Sequence, residues 1–232
     1  MRAEGLIEPT PWDSRALGAE TFEVRRVTPE AMALVDRTPG HYTAKVDPLA
    51  PKALLHGSGF YYCDTLLEPE CLPGELIVHA RDGVTVSRDV PLERLRPLCH
   101  GAFAYDRFHR DFNVAPAAAD ARYDNWLAQM HAAGQVHGIS VDGELAAFIA
   151  LVGERMVLHA VAREQQGRGL AKFIWSAACR HFFEERGVER LESSISAANL
   201  AAVNLYASLG FRFRAAVDVY HRLVERAPGE CS

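Results

Sequence analysis

The sequence predicts an α/β (α+β) fold in which a mostly antiparallel sheet is flanked by helices, with a smaller α/β unit at the N-terminus. Three observations predict it. Strand-like and helix-like patterns alternate along the 232 residues, as they do in layered domains. Two tight-turn signals, "VDGE" and "VGER", divide the stretch from Gly138 to Ala162 into three antiparallel strands. A glycine-rich loop, "EQQGRGLAKFIW" at 164–175, then leads from the last strand into an amphipathic helix.

Hydrophobic residues make up 49% and charged residues 24% of the chain. That is ordinary for a globular protein, and the length suffices for one large domain or two small ones with a sizeable core. A net charge of −5 and a pI near 6.1 provide no global basic field for nucleic acid or an anionic membrane, although a local basic pocket for a small phosphate ligand stays open. The first residues, "MRAEGLIEPTPWDSRALG", lack an apolar signal core, and no apolar run approaches membrane-spanning length, so a cytoplasmic location is expected. Cys63, Cys71, Cys99, Cys179 and Cys231 are odd in number and form no CxxC pair, which predicts reduced, mostly buried thiols. The ten histidines show no HExxH or clustered spacing, and no metal is expected.

The elements follow in order. Residues 1–83 are expected to form the smaller N-terminal α/β domain, 84–226 the larger domain and 227–232 a flexible tail. "VTVSRDV" from Val84 reads as a strand. "PLERLRPLCHGAF" starts with Pro91 at a helix N-terminus and carries Leu92, Leu95 and Leu98 on one stripe. "ARYDNWLAQMHAAG" is a second helix, closed by Gly134. After the three strands and the glycine-rich loop, a helix from about Gly169 to Arg186 buries Leu170, Phe173, Ile174, Ala177 and Phe182, and Gly187 stops it. "ERLESSIS" is a strand, Asn199 to Leu209 a short helix capped by Gly210, and "FRFRAAVDVYHRL" a long closing strand.

Part of the N-terminal unit echoes this ending at an offset of 151 residues. Leu49 falls on Leu200, Ala50 on Ala201, Leu54 on Leu205, Gly59 on Gly210 and Phe60 on Phe211, while Leu55 falls on Tyr206. Two readings stay open: a degenerate repeat, half a domain built like the C-terminal half, and coincidence among common helix-glycine-strand punctuation.

A strand, a glycine-rich turn and a helix N-terminus make an anion site. The first helical N–H groups lack partners, the helix dipole adds positive charge, and Arg168 can add a charge-assisted contact. A P-loop would need G-x-x-x-x-G-K-S/T, which is absent. A dinucleotide fingerprint would need a third glycine where Lys172 stands, in the first βα unit of a parallel sheet. "QGRGLA" at 166–171 instead matches the Q/R-x-x-G-x-G/A signature of the GNAT superfamily of acyl-CoA N-acyltransferases, and "NLAAVNLYASLGF" resembles that family's N-x-x-A-x-x-x-Y-x-x-x-G-F element. The resemblance covers roughly residues 84–222. It implies a splayed sheet with acetyl-CoA wedged between the family's fourth and fifth strands. Gln166, Gly167, Arg168, Gly169, Leu170 and Ala171 would hold the pyrophosphate, and the backbone at Val161 would pair with the pantetheine arm. "IEPTPWDSRALG", "GAFAYDRFHRDFNVAP" and "YDNWLAQM" further resemble segments of the bacterial dTDP-fucosamine acetyltransferase group, which acetylates the 4-amino group of a nucleotide-linked deoxyamino sugar.

Acetyl transfer from a thioester needs a neutral amine, a stabilised oxyanion and a proton for the departing thiolate. Tyr206 occupies the family's tyrosine position. With an ordinary pKa of about 10 it can protonate a thiolate, and it is the expected general acid. Asn199 reads equally as a helix N-cap and as a cofactor contact. The resemblance places a glutamate base eleven residues before Gln166, but Arg155 stands there. Glu154 would point to the opposite face of a regular strand, and His159, with the parity of Arg155, reads either as a base or, in preference, as a half-buried sheet histidine. Water is therefore expected to relay the amine proton. Arg107, His109 and Tyr123 are the candidate acceptor contacts, beside aromatics suited to a nucleotide. The implied partners are acetyl-CoA and a small amine, an amino sugar nucleotide in the first instance, with homodimerisation open. Another acceptor (a polyamine, an amino acid or a protein amine) and a catalytically silent CoA sensor are the alternatives.

Overall fold

A computed structural model describes residues 5–225. Cys231 and the expected tail at 227–232 lie outside the described residues. The chain divides into two compact units. One takes the N-terminal residues to Leu66, Tyr105–Arg122 and the chain from Ala216. The other takes Leu67–Ala104 and Tyr123–Ala215. These units are discontinuous in sequence, unlike the expected partition at 83/84.

The first unit contains strands β1 (Ile7–Pro9), β2 (Thr21–Val24) and β3 (Gly40–Val46) and helices α1 (Pro11–Leu17), α2 (Pro29–Val35) and α3 (Ala53–Gly57). It shares β4 (Tyr61–Cys71) and the long β11 (Arg212–Val224) with the second unit. Its strand order is β1-β2-β3-β11-β4, with β2 and β3 parallel and β3 antiparallel to β11. Phe22, Tyr42, Leu55, Phe60 and Tyr220 fill one core.

The second unit contains β5 (Val84–Ser87), α4 (Leu92–Cys99), the C-terminal part of α5 (Pro116–Ala132), β6 (Val136–Val141), β7 (Glu144–Val152), β8 (Arg155–Val161), α6 (Ala171–Glu184), β9 (Leu191–Ser193), β10 (Ile195–Ser196) and α7 (Leu200–Ser208). Its strand order is β4-β9-β8-β7-β6-β5. The pairs β5–β6, β6–β7, β7–β8 and β4–β9 are antiparallel and β8–β9 is parallel. This is the splayed, mostly antiparallel sheet the sequence predicts, with helices on both faces. One core gathers Ile149, Met156, Ile174, Trp175, Phe182 and Tyr206 around α6 and α7. Another gathers Leu95, Leu127, Phe148, Leu158 and Ala160 around α4 and α5.

Local chemistry accounts for the boundaries. Asp142 (φ 53°) and Gly143 (φ 84°) give the β6–β7 hairpin two successive left-handed residues, the geometry that matches strand twist. Helix α5 starts at Pro116, five residues before the "ARYDNW" stretch that reads as its start, because the preceding alanines extend the helix. "ERLESSIS" breaks into β9 and β10.

The echo at 151 residues extends to hydrogen bonds. Phe60 N–H donates to the Leu55 carbonyl as Phe211 N–H does to that of Tyr206, both at 3.0 Å. Ser58 N–H bonds Leu54 as Leu209 N–H bonds Leu205, and Gly59 bonds His56 as Gly210 bonds Ala207. Both glycines have positive φ, and β4 and β11 start at the same offset.

Three histidines are held neutral by burial, His137 and His159 with pKa lowered to about 4 and His221 to about 3. An unfolded chain binds protons at these groups below about pH 6.5 while the native protein refuses them until about pH 4. Their contribution to stability is thus complete above the unfolded value and is lost as pH falls toward the folded one. Among the described residues, neither nitrogen of His137 has a partner that meets hydrogen-bond geometry, and its ring packs edge-on against Phe182 at 4.9 Å. Because a buried orphaned polar atom costs about 1–3 kcal/mol, His137→Phe is expected to shrink the fall in melting temperature between about pH 7.5 and 5, with little loss at the higher pH. Calorimetric melts at both pH values check this.

Candidate active site

Strand β8 pairs with β9 only at Arg155–Glu192 and Met156–Ser193. Immediately afterwards β8 carries a bulge. Ala150 of β7 pairs with Leu158 and Leu151 with Met156, leaving Val157 as the extra residue. A bulge bends its strand, and this one turns β8 away from β9 where their pairing ends. At the fork the Ser193 hydroxyl donates to the Met156 carbonyl at 2.9 Å. Beyond it, the edge of β8 from Leu158 to Val161 has no β9 partner, while its other edge stays paired to β7.

The loop lies at the mouth of this gap. A single 3-10 turn at Arg163–Gln165 follows β8. Gly167 (φ 72°) and Gly169 (φ 70°) then take left-handed conformations with nothing within 4 Å of where a Cβ would stand. Gln166 to Gly169 are exposed, whereas Leu170 is buried in the α6 core. Helix α6 has no side-chain cap. Among the described residues, no backbone carbonyl accepts from the N–H of Gly167, Arg168, Gly169, Leu170 or Ala171. Unsatisfied amides, a helix N-terminus and open space over two glycines fit a diphosphate. Arg168 bonds the Gln165 amide oxygen at 2.7 Å, and the Gln166 amide donates to the Val161 carbonyl at 3.0 Å.

Asn199 is the N-cap of α7, its Oδ1 accepting from Ala202 N–H at 3.1 Å. About two turns further on, Tyr206 is fully buried against Phe211, with ring centroids 4.8 Å apart. Its hydroxyl lies 3.0 Å from His159 Nε2. Burial raises the Tyr206 pKa, and polar groups of Ser193 and Trp175 offset part of the rise. His159 also meets the Trp175 ring edge-on at 5.4 Å. It therefore faces α6 and α7, on the side of Met156 rather than that of Arg155. The Val157 bulge reverses the alternation on which the parity expectation rests.

At and beside the expected base position the side chains are paired elsewhere. Arg155 is exposed and pairs with Glu68 at 3.7 Å. Glu154 lies in the β7–β8 turn and pairs with Arg190 at 3.2 Å. Burial pushes the thiols of Cys63 and Cys71 up to about 12 and about 11 and raises that of Cys179 as well, so a thiolate nucleophile is disfavoured.

The candidate acceptor residues have structural partners. In the first unit, His109 sits between Asp106 and Asp120, and Arg107 covers the Phe108 ring at 4.6 Å. In the second, Tyr123 is buried and stacks on Phe103 at 4.2 Å. The first unit also assembles a cluster that no sequence spacing reveals. Asp111 Oδ2 contacts His41 Nε2 at 2.7 Å and His221 Nδ1 at 2.8 Å, while its other oxygen accepts from Tyr61 at 2.8 Å. Burial works to raise the Asp111 pKa, but the hydrogen bonds from the two histidines prevail and hold it below the carboxylate range. These three residues are close enough to group as metal donors. Their mutual hydrogen bonds already satisfy the carboxylate.

Comparison with known proteins bears on the same region. Residues 102–211 match the family model described as Acetyltransferase (GNAT) family. The matched stretch is similar to GNAT acetyltransferases and contains both the amide cradle and Tyr206. Among solved structures, a GCN5-related N-acetyltransferase from Sphaerobacter thermophilus is similar with a TM-score of 0.60 and 13% identity, covering 95% of this chain and 76% of that one. A tandem GNAT protein from the clavulanic acid biosynthesis pathway matches at 0.54 and 14%, covering 90% and 77%. A glucosamine N-acetyltransferase region of a fungal multi-domain β-N-acetylglucosaminidase matches at 0.58 and 14%, covering 88% of this chain and 30% of that one. No curated protein matches the sequence. Among the described residues no helix is long and apolar enough to cross a membrane.

Gly169→Ala tests the cradle. A side chain at this φ costs about 1–2 kcal/mol, and its Cβ would fill the space a diphosphate needs. Coenzyme A affinity measured by calorimetric titration is expected to fall about tenfold or more, while 3′-phosphate-free and pantetheine-only analogues, which separate the phosphate contributions, show that the loss resides in the diphosphate.

Proposed function

We propose that the chain is an acetyl-CoA-dependent N-acetyltransferase that acetylates an amino sugar carried on a nucleotide, by direct attack of the amine on the thioester. The observation carrying this reading is the fork between β8 and β9. It exposes a strand edge suited to the pantetheine amides, has an anion cradle at its mouth, and has Tyr206 on the helix after β10.

In the proposed reaction the amine nitrogen bonds the acetyl carbon, the C–S bond breaks, and the Tyr206 proton passes to the sulfur. The raised pKa keeps the phenol protonated at neutral pH, as a general acid must be. The amine proton leaves through water, in keeping with an arginine at the usual base position. Gln166 to Ala171 would hold the pyrophosphate through backbone N–H groups, with Val161 beside the pantetheine arm and Asn199 fixing the helix that carries the acid.

Two features support the sugar acceptor. The N-terminal and central segments resemble enzymes of dTDP-linked amino sugars, and one structural neighbour is described as a glucosamine N-acetyltransferase. The N-terminal unit is, on this reading, a degenerate half-repeat. Its hydrogen-bond pattern recurs at the 151-residue offset, a tandem GNAT protein shares the fold, and Leu55 at the tyrosine position leaves that half without an acid.

The test is thiol release from acetyl-CoA across amino sugar nucleotides, free amino sugars, polyamines and peptides. Turnover is expected with an amino sugar nucleotide, and Tyr206→Phe is expected to lower kcat about a hundredfold or more, as loss of a general acid does, without weakening coenzyme A binding. Preference for a polyamine or peptide would replace the acceptor; no turnover on any amine would make the protein a coenzyme A sensor.

A further inference from the structure

The mechanism leaves a cost unaccounted for. When Tyr206 gives its proton to sulfur, a phenolate forms at a fully buried position, and an unpaired buried charge is expensive. The polar groups facing the phenol from each packed element are few. Strand β8 supplies His159, α6 supplies Trp175 and Cys179, and β9 supplies Ser193. The Ser193 hydroxyl hydrogen goes to the Met156 carbonyl. The Trp175 Nε1 has no partner meeting hydrogen-bond geometry, although it lies close enough to favour the phenolate. The Cys179 thiol disfavours it. Among the described residues, His159 Nε2, at 3.0 Å, is the group whose distance and angle to the hydroxyl meet hydrogen-bond geometry, while Ser193 and Trp175 lie close enough to favour the phenolate.

We propose that His159 is a positioning residue for Tyr206: its Nε2–H donates to the phenol oxygen, aims the hydroxyl hydrogen at the leaving sulfur and holds the phenolate after transfer. This inference rests on Tyr206 being the acid. The direction of the bond matters. Were the phenol to donate to an unprotonated Nε2, its hydrogen would be turned away from the sulfur and the phenolate would meet a lone pair. With the proton on Nε2, the phenol hydrogen is free to transfer. The sulfur gains that proton as the C–S bond breaks, the phenolate accepts from Nε2–H, and water returns a proton to Tyr206 once coenzyme A departs. Burial keeps the imidazole neutral across the working range, with a pKa of about 4, so it donates a hydrogen bond without competing as an acid. A hydrogen bond to a charged group is roughly twice as strong as a neutral one, so the contact strengthens as the reaction proceeds, which is the condition for lowering a barrier.

Two measurements test this. Nitrogen-15 NMR of the imidazoles in the intact protein reads which His159 nitrogen carries hydrogen. A protonated Nε2 whose resonance moves in Tyr206→Phe is expected, and an unprotonated Nε2 overturns the proposal. In steady-state kinetics, His159→Leu is expected to lower kcat about ten- to hundredfold with the acetyl-CoA KM within about twofold, and His159→Gln, which keeps a donor, to recover part of the loss. In a Tyr206→Phe background the same His159→Leu change is expected to have almost no further effect. Equal losses in both backgrounds would mean that His159 merely supports the fold and would overturn its coupling to the phenol. The outcomes stay separable: wild-type turnover in Tyr206→Phe removes the acid itself, whereas an impaired Tyr206→Phe beside an unaffected His159→Leu removes only the role of the histidine.

Discussion

One extra residue in β8 governs this molecule. Regular β8 would continue its pairing with β9 and close the sheet. Val157 interrupts the ladder just where the two strands stop pairing, and the backbone edge beyond it has no β9 partner. A row of unpaired peptide groups inside a fold is normally a liability. Here it is the feature a peptide-like ligand arm can exploit, because an extended amide-bearing chain satisfies a strand edge as another strand would. The bulge also reverses the side-chain alternation. It puts His159 on the face with Trp175 and Tyr206, and leaves Arg155 on the opposite side with Glu68.

The fold was largely legible because its determinants are local. Glycines at positive φ end helices or turn hairpins wherever the sequence marks them, as at Gly134, Gly143 and Gly187, and the apolar stripe of α6 places Ile174 and Phe182 in the core. The amide cradle was legible for the same reason, since "QGRGLA" encodes both its turn and the start of its helix. What stayed hidden depends on long-range pairing. No composition marks Val157 as a bulge, because it is an ordinary strand residue whose role is set by the register of β7. Nor does spacing bring His41 of β3, His221 of β11 and Asp111 of the loop before α5 together. The acceptor candidates show a further effect of long-range contacts. His109 reads as a ligand group on a basic loop, whereas two nearby aspartates already engage it; a titratable side chain is as easily a structural clasp as a contact for substrate.

The 151-residue echo gives this sequence an internal control. Around Leu55 and Tyr206 the chain makes the same helix end, the same glycine-phenylalanine turn and the same exit into a strand. Both side chains are fully buried. The backbone framework thus tolerates either residue, and packing alone does not require a phenol. A tyrosine in such a position must satisfy its hydroxyl, an added cost that leucine avoids. Retaining that hydroxyl beside an imidazole is consistent with a chemical rather than a packing role.

Electrostatics narrow that role further. A carboxylate near the phenol would resist the phenolate and the thiolate alike, since two like charges in a poorly screened interior repel strongly. Among the described residues, the groups that act on Tyr206 include no carboxylate: His159 is neutral, Trp175 is uncharged, and burial raises the Cys179 thiol so that it too stays neutral. On the proposed mechanism such a site would carry one negative charge at a time, first on the sulfur and then on the phenol oxygen, with N–H dipoles fixed in advance by the sheet and by α6. The arginine in place of a base glutamate follows the same logic. On the proposed mechanism, removing the amine proton through water would keep a second anion out of the fork, and the reaction would then depend on an acceptor whose amine is already uncharged near neutral pH.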